Sequence, residues 1–222
     1  LEKNYMGGTM VNRYFRAAAE FVKEYMQSTE RPEMGRRRTA SFRWRHTLRV
    51  LAAAREIGRA EGANLEIVEM AALLHDIAKL DPRSDETHHA ILGSELAREF
   101  LEDLPMAPEE VERIVEAIRF HSYDTHQEDL GLETLVLKDA DRLDEVGALG
   151  IMMTGIYAGR VGMDYRGCYR QGIRELRDLE VLPFYTATGR EIFARRILVM
   201  KRFWHQAQQE LQGEEVSEYS DL

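Results

Sequence analysis

Apolar residues recur at intervals of three and four along most of the chain, beginning with Tyr14, Phe15, Ala18, Phe21, Val22, Tyr25 and Met26. That spacing predicts an amphipathic helix, with Thr9 or Asn12 available as its cap. A second face, Phe42, His46, Val50, Ala53 and Ile57, predicts a helix capped by Ser41 and followed by a turn at Gly62. Asn64 can cap a third helix carrying AALLHDIAKL, residues 71–80, which Asp81-Pro82 ends. Leu92, Leu96 and Phe100 mark a fourth helix near 88–103, and Pro108 suits the first turn of a fifth through Val111, Ile114, Val115 and Ile118. LETLVLKDADRLDEVGALG begins another helix, and Phe193, Ile197, Met200, Trp204, Ala207 and Leu211 define a closing one over 189–211. Residues 147–172 hold seven glycines and carry the weakest pattern. With no strand series, repeat or low-complexity block, the fold class is all-α, a single-domain helical bundle.

Two of these faces are interrupted by chemistry. His75 and Asp76 sit side by side in one of the most apolar runs, about 100° apart around a helix, so both can lean toward one point beside it. His46 replaces an apolar residue on its own face, His89 precedes Leu92, Leu96 and Phe100 in register, and His121 follows Ile114 and Ile118. Buried polar groups in this number need something that satisfies them together, and one or two divalent metal ions would do so. By contrast His88 shares a face with Glu95 and Glu99, His126 lies in the polar stretch SYDTHQEDLG, and His205 is on a charged helix exterior, so all three read as surface.

Composition narrows the remaining classes. No apolar run in the 222 residues approaches the roughly 18 to 20 needed to span a bilayer, so no membrane association is expected. Cys168 is the single cysteine, which excludes an internal disulfide and a cysteine metal cluster. The opening LEKNYMGGTM lacks the order of a signal peptide, and the expected location is the cytoplasm. A net charge of −9 argues against a stable nucleic-acid complex, yet residues 31–49 hold seven arginines against one glutamate. Arg36, Arg37, Arg38 and Arg45 thus form a positive field next to His46, and Arg142, Arg160, Arg166 and Arg170 surround the glycine-rich region. Both sets suit an anionic substrate; the bland alternatives are a solvated loop and close helix packing.

The elements RWRHTLRV, AALLHDIAKL and VLKDADRLDEVGALG, in that order, resemble the HD superfamily of metal-dependent phosphohydrolases over about residues 40–155. The resemblance implies a helical fold in which His46, His75, Asp76 and a later aspartate bind a divalent ion. Periodicity alone leaves Asp139, Asp141 and Asp144 open, and the family pattern of an apolar run followed by Ala-Asp points to Asp141. HHAILGSELA and AIRFHS are similar to elements of two-metal members, implying a second ion at His89 and His121 with Asp76 bridging; Ser122 stands where such members often carry another histidine. Lys79 follows Asp76 by one turn, as in HD-x-x-Lys members, and suits phosphate charge. The glycine-rich stretch is similar to small bacterial HD nucleotide (pyro)phosphohydrolases.

The resulting expectation is a phosphohydrolase using Mn²⁺, Mg²⁺, Fe²⁺ or Co²⁺ to cleave a phosphoanhydride or phosphomonoester, with a nucleotide such as a (deoxy)nucleoside triphosphate as substrate. Asp76 and Lys79 are the candidate catalytic residues, and Arg45, Lys79 and Arg142 the candidate substrate contacts. The alternatives are an HD-type di-iron oxygenase and a non-catalytic nucleotide sensor. The organisation expected is a helix over 1–30, a metal-binding core over 31–180, a closing helix of the same domain over 181–212 and a disordered acidic tail over 213–222, with a homodimer compatible.

Overall fold

A computed structural model of the chain describes residues 14–31, 39–122 and 130–217, with side chains through 212. Among these residues every regular element is helical: α1 Phe15–Thr29, α2 Ala40–Glu61, α3 Leu65–Leu74, α4 His89–Glu102, α5 Pro108–Phe120, α6 Leu132–Leu143, α7 Ala148–Arg160, α8 Tyr165–Glu180 and α9 Ala187–Ser217. Two 3-10 turns, Ile77–Leu80 and Pro82–Asp85, link α3 to α4. The all-α class is thus observed. The chain divides into two compact units, residues 1–141 and 142–222. None of the described helices is long and apolar enough to cross a membrane.

In the first unit α3 is the central element. Every residue from Ile67 to Leu74 is buried, including Glu69, as expected of a helix that is apolar on all sides. Helices α1, α2 and α5 pack around it, and α4 lies against α5 and the first 3-10 turn. Arg55 Nε donates to Glu69 at 2.7 Å, the hydrogen-bonded partner that a buried carboxylate needs. Asn64 caps α3 as expected, its side chain accepting from the Glu66 and Ile67 amides. For α2 the cap is Thr39, not Ser41: the helix begins two residues earlier, and Phe42 N–H donates to Thr39 Oγ1 at 3.4 Å. Gly62 closes α2 at φ 75°, a conformation that favours glycine.

The main departure from the periodicity lies at the dipeptide itself. Helix α3 stops at Leu74, and Asp76 takes φ −108°, ψ 18° at the start of a 3-10 turn, in a sparsely populated region that functional residues often occupy. The turn is fixed from beyond by Asp81, which accepts from the Arg83 amide at 2.8 Å and from the Tyr25 hydroxyl of α1. Arg83 holds the Asp81 carboxyl down at about 2, more than burial raises it, with Tyr25 adding to the effect.

The second unit is built on Val146, Leu176, Leu179, Ile197, Met200 and Trp204. Its glycines answer the question left by the sequence. A Cβ at Gly172 would lie 2.1 Å from the Trp204 ring, and one at Gly150 would lie 2.2 Å from the Glu145 carbonyl. Close helix packing is therefore what Gly172 allows, while Gly150 lets the turn before α7 fold back against the helix. At Gly155 and Gly159 a Cβ would meet nothing within 4 Å. Helix α9 continues past Leu211 to Ser217, into the acidic stretch. Thr9, Asn12, the arginines at 36–38, His126 and the last five residues lie outside the described residues.

Candidate metal centre

Five segments of the first unit deliver polar side chains to one place. His75 and His121 are placed by the same local device: each stands just past the end of a helix and bonds the carbonyl three residues back. His75 Nδ1 lies 2.8 Å from Ala72 O and His121 Nδ1 2.7 Å from Ile118 O. A carbonyl can only accept, so both Nδ1 atoms carry a proton and donate it, which turns both Nε2 atoms inward. His46 comes from α2, His89 is the first residue of α4, and Asp141 comes from α6.

The ligand atoms converge. His75 Nε2 and His46 Nε2 are 3.3 Å apart. Asp141 Oδ1 is 3.2 Å from His46 Nε2 and 3.7 Å from His75 Nε2. Asp76 divides its oxygens: Oδ2 faces His46 Nε2 at 3.6 Å and His75 Nε2 at 3.9 Å, while Oδ1 faces His89 Nε2 at 3.5 Å and His121 Nε2 at 3.9 Å. Three triads, His46-His75-Asp76, His75-His121-Asp141 and Asp76-His89-His121, each have donor atoms within 4.8 Å of one another. Metal–ligand bonds of about 2.1 Å put neighbouring donors roughly 3 Å apart, so slight contraction around an ion would complete such a shell.

Two further observations fit a cation. His121 Nε2 is buried with no hydrogen-bond partner among the described residues, an arrangement rare in folded proteins unless a metal or other bound group takes the lone pair. The carboxylates are also held ready as anions. Burial opposes ionisation of Asp76, but His75, Lys79, Arg43 and His46 hold it well below the usual carboxylate range. Asp141 is likewise pushed down, against its burial, by the hydrogen bond from His46 and the nearby imidazoles. Burial keeps His89 and His121 neutral, lowering them to about 3 and about 4, the protonation state a metal ligand needs.

Of the three aspartates that periodicity left open, Asp141 reaches this cluster. Asp139 is fully buried within the first unit, and Asp144 follows the end of α6. Lys79 Nζ lies 3.9 Å from Asp76 Oδ1 and 3.0 Å from His89 Nε2. Arg45 is exposed, and Arg142 donates to Pro183 O and lies over the Tyr185 ring. The residue the sequence reading passed over is Arg43, whose Nη1 is 3.1 Å from Asp76 Oδ2. The signal was present in the spacing: position 43 is three residues before His46 and shares its face, whereas position 45 is turned about 100° away. His88 and His205 are exposed, as the sequence indicates.

An all-helical fold that gathers a histidine, a His-Asp pair and a distant aspartate into one centre defines the HD class. The sequence model of the HD domain matches residues 43–145. The uncharacterized protein YpgQ of Bacillus subtilis is 30% identical over 203 residues, which cover 88% of this chain and 94% of that protein. The chain therefore belongs to the HD superfamily of hydrolases. Crystal structures agree in fold. A predicted HD superfamily hydrolase from an uncultured Thermotogales bacterium matches at TM-score 0.64 with 26% identity, over 89% of this chain and 92% of that one. An HD-superfamily hydrolase from Bacillus thuringiensis matches at TM-score 0.66 with 27% identity, over 89% and 98%. YpgQ in complex with ADP matches at TM-score 0.61 with 27% identity, over 88% and 96%.

Proposed function

We propose that the protein is a metal-dependent phosphohydrolase that cleaves a phosphoanhydride or phosphomonoester bond of a nucleotide. The observation that carries this reading is the shared carboxylate: Asp76 presents one oxygen to His46 and His75 and the other to His89 and His121. His46, His75, Asp76 and Asp141 would hold one divalent ion, and His89 and His121 offer ligands for a second with Asp76 between them. When bound, such an ion lowers the pKa of water and polarises a phosphoryl oxygen. The donor set of imidazoles and carboxylates suits Mn²⁺, Fe²⁺, Co²⁺ or, less well, Mg²⁺, which favours oxygen ligands.

The remaining roles belong to the chain. Asp76 is held as an anion by its neighbours, and with each oxygen facing two imidazoles its work is to hold and orient; an oxygen not engaged by an ion would be placed to accept a proton. Lys79 supplies an ammonium beside Oδ1, placed to offset charge on a transferring phosphoryl group. The nucleotide preference is supported by the ADP complex of YpgQ. It is tested by measuring phosphate and pyrophosphate release separately across nucleoside mono-, di- and triphosphates with added Mn²⁺. Release from nucleotides at least tenfold faster than from p-nitrophenyl phosphate is expected. Equal rates on both would remove the nucleotide from the reading, and turnover that consumes O₂ without phosphate release would replace hydrolysis with oxygenation.

A further inference from the structure

Helix α7 carries a single charged residue, Arg160, yet it buries only Gly150, Thr154 and Ala158 along one side. Leu149 is 43% exposed, Met152 61%, Ile156 59% and Tyr157 43%, and Val161 just past the helix is 46% exposed. At about 100° per residue, Gly155, Gly159, Met152, Ile156, Leu149 and Tyr157 fill an arc of about 200° opposite the buried side. At ordinary residue areas the five apolar side chains leave roughly 500 Å² in water, the upper end of what a soluble monomer keeps contiguous. With the glycines and Arg160, the arc approaches the ~800 Å² that each partner of a standard-size interface buries.

Nothing within the chain accounts for two of these positions. Gly155 and Gly159 do not take positive φ, and a Cβ at either would meet nothing within 4 Å, although glycine weakens a helix interior. A second copy of α7 does account for them. If two copies cross antiparallel about a two-fold axis between residues 155 and 156, each residue faces the one equally far beyond that axis. Ile156 then meets Gly155, Met152 meets Gly159, and Leu149 meets Gly162. Every exposed aliphatic knob is paired with a glycine whose Cβ position is open. Gly162 has φ 72°, which by itself favours glycine, so the two helical glycines carry the argument. An isologous contact requires this self-complementarity, and no other kind of partner would. Arg160 falls at the ends of the contact, which keeps the two like charges apart. We propose that α7 is the dimerisation helix of this protein, packed antiparallel on α7 of a second copy with Met152 and Ile156 seated over Gly159 and Gly155. The inference stands apart from the reading of the metal centre.

Sedimentation equilibrium of the full chain tests it. At about 100 µM, above the micromolar range of the weakest interfaces of this size, the wild type should be a dimer. Ile156→Glu, which puts an unpaired carboxylate at the axis, and Gly159→Leu, which fills the notch for Met152, should each weaken association about a hundredfold or more. Leucine is the filling residue because alanine still permits close approach. Val199→Glu, at a residue 47% exposed on α9, should associate like the wild type. Cysteine cross-linking in a Cys168→Ser background reads the register. Ile156→Cys should join to itself, Met152→Cys alone should not, and mixed Met152→Cys and Gly159→Cys chains should join, because a disulfide tolerates little separation. A monomeric wild type overturns the proposal, as does a dimer that survives both Ile156→Glu and Gly159→Leu. Met152→Cys that joins to itself and not to Gly159→Cys overturns it as well, since the antiparallel register would then be wrong.

Discussion

His121 shows how much a single side chain can be asked to do. Its Nδ1 proton is committed to Ile118 O, its ring is 2% exposed, and its Nε2 has no hydrogen-bond partner among the described residues. Burial holds it down to about 4, with the neighbouring His75 adding to the effect and Asp141 and Asp76 opposing it. The unfolded chain protonates near 6.5, so as pH falls below that value the unfolded state takes up the proton first. The stability contributed by neutral His121 is therefore complete above about pH 6.5 and lost progressively toward pH 4. Metal-free protein should lose up to about 3 kcal/mol from this residue between those limits. Urea titrations at pH 7.5 and 4.5 should show a smaller difference for His121→Asn than for the wild type. An equal or larger difference in the variant would mean that His121 is not held neutral by its setting.

At the scale of elements, the helices were legible wherever one face was apolar and a cap was nearby. The α3 cap at Asn64 and the start of α5 at Pro108 followed from residue type alone. What periodicity missed was local hydrogen bonding. Nothing in the spacing of AALLHDIAKL announces that α3 stops at Leu74, because the break is made by His75 folding back on Ala72 and by Asp76 leaving helical geometry. The site was legible in the same uneven way. Histidines on inward faces were visible as interruptions of an apolar stripe, whereas Arg43 was hidden among seven arginines and only the face it shares with His46 distinguishes it.

The glycines of α7 and α8 give that scale a direct test. Gly172→Ala would drive a methyl into the Trp204 ring and should cost about 1 to 3 kcal/mol. Gly155→Ala, at a helical position with open space around the Cβ, should stabilise by about 0.5 to 1 kcal/mol through helix propensity. Thermal unfolding of both variants checks the contrast, and a neutral Gly172→Ala would contradict the packing described for the second unit.

For the molecule as a whole, the chemistry is concentrated in residues 1–141: all six candidate ligands, together with Lys79 and Arg43, belong to that unit. The arrangement makes one carboxylate the hinge of the account. Asp76→Asn preserves the side chain's shape while removing the charge that both triads containing it require. The decisive measurement is phosphate and pyrophosphate release from nucleotides by protein stripped with a chelator, then resupplied with Mn²⁺, for wild type and Asp76→Asn side by side. Stripped wild type should release nothing, recover on adding Mn²⁺, and exceed Asp76→Asn at least a hundredfold in rate at every Mn²⁺ concentration. Activity that survives both chelation and the Asp76 substitution would contradict it.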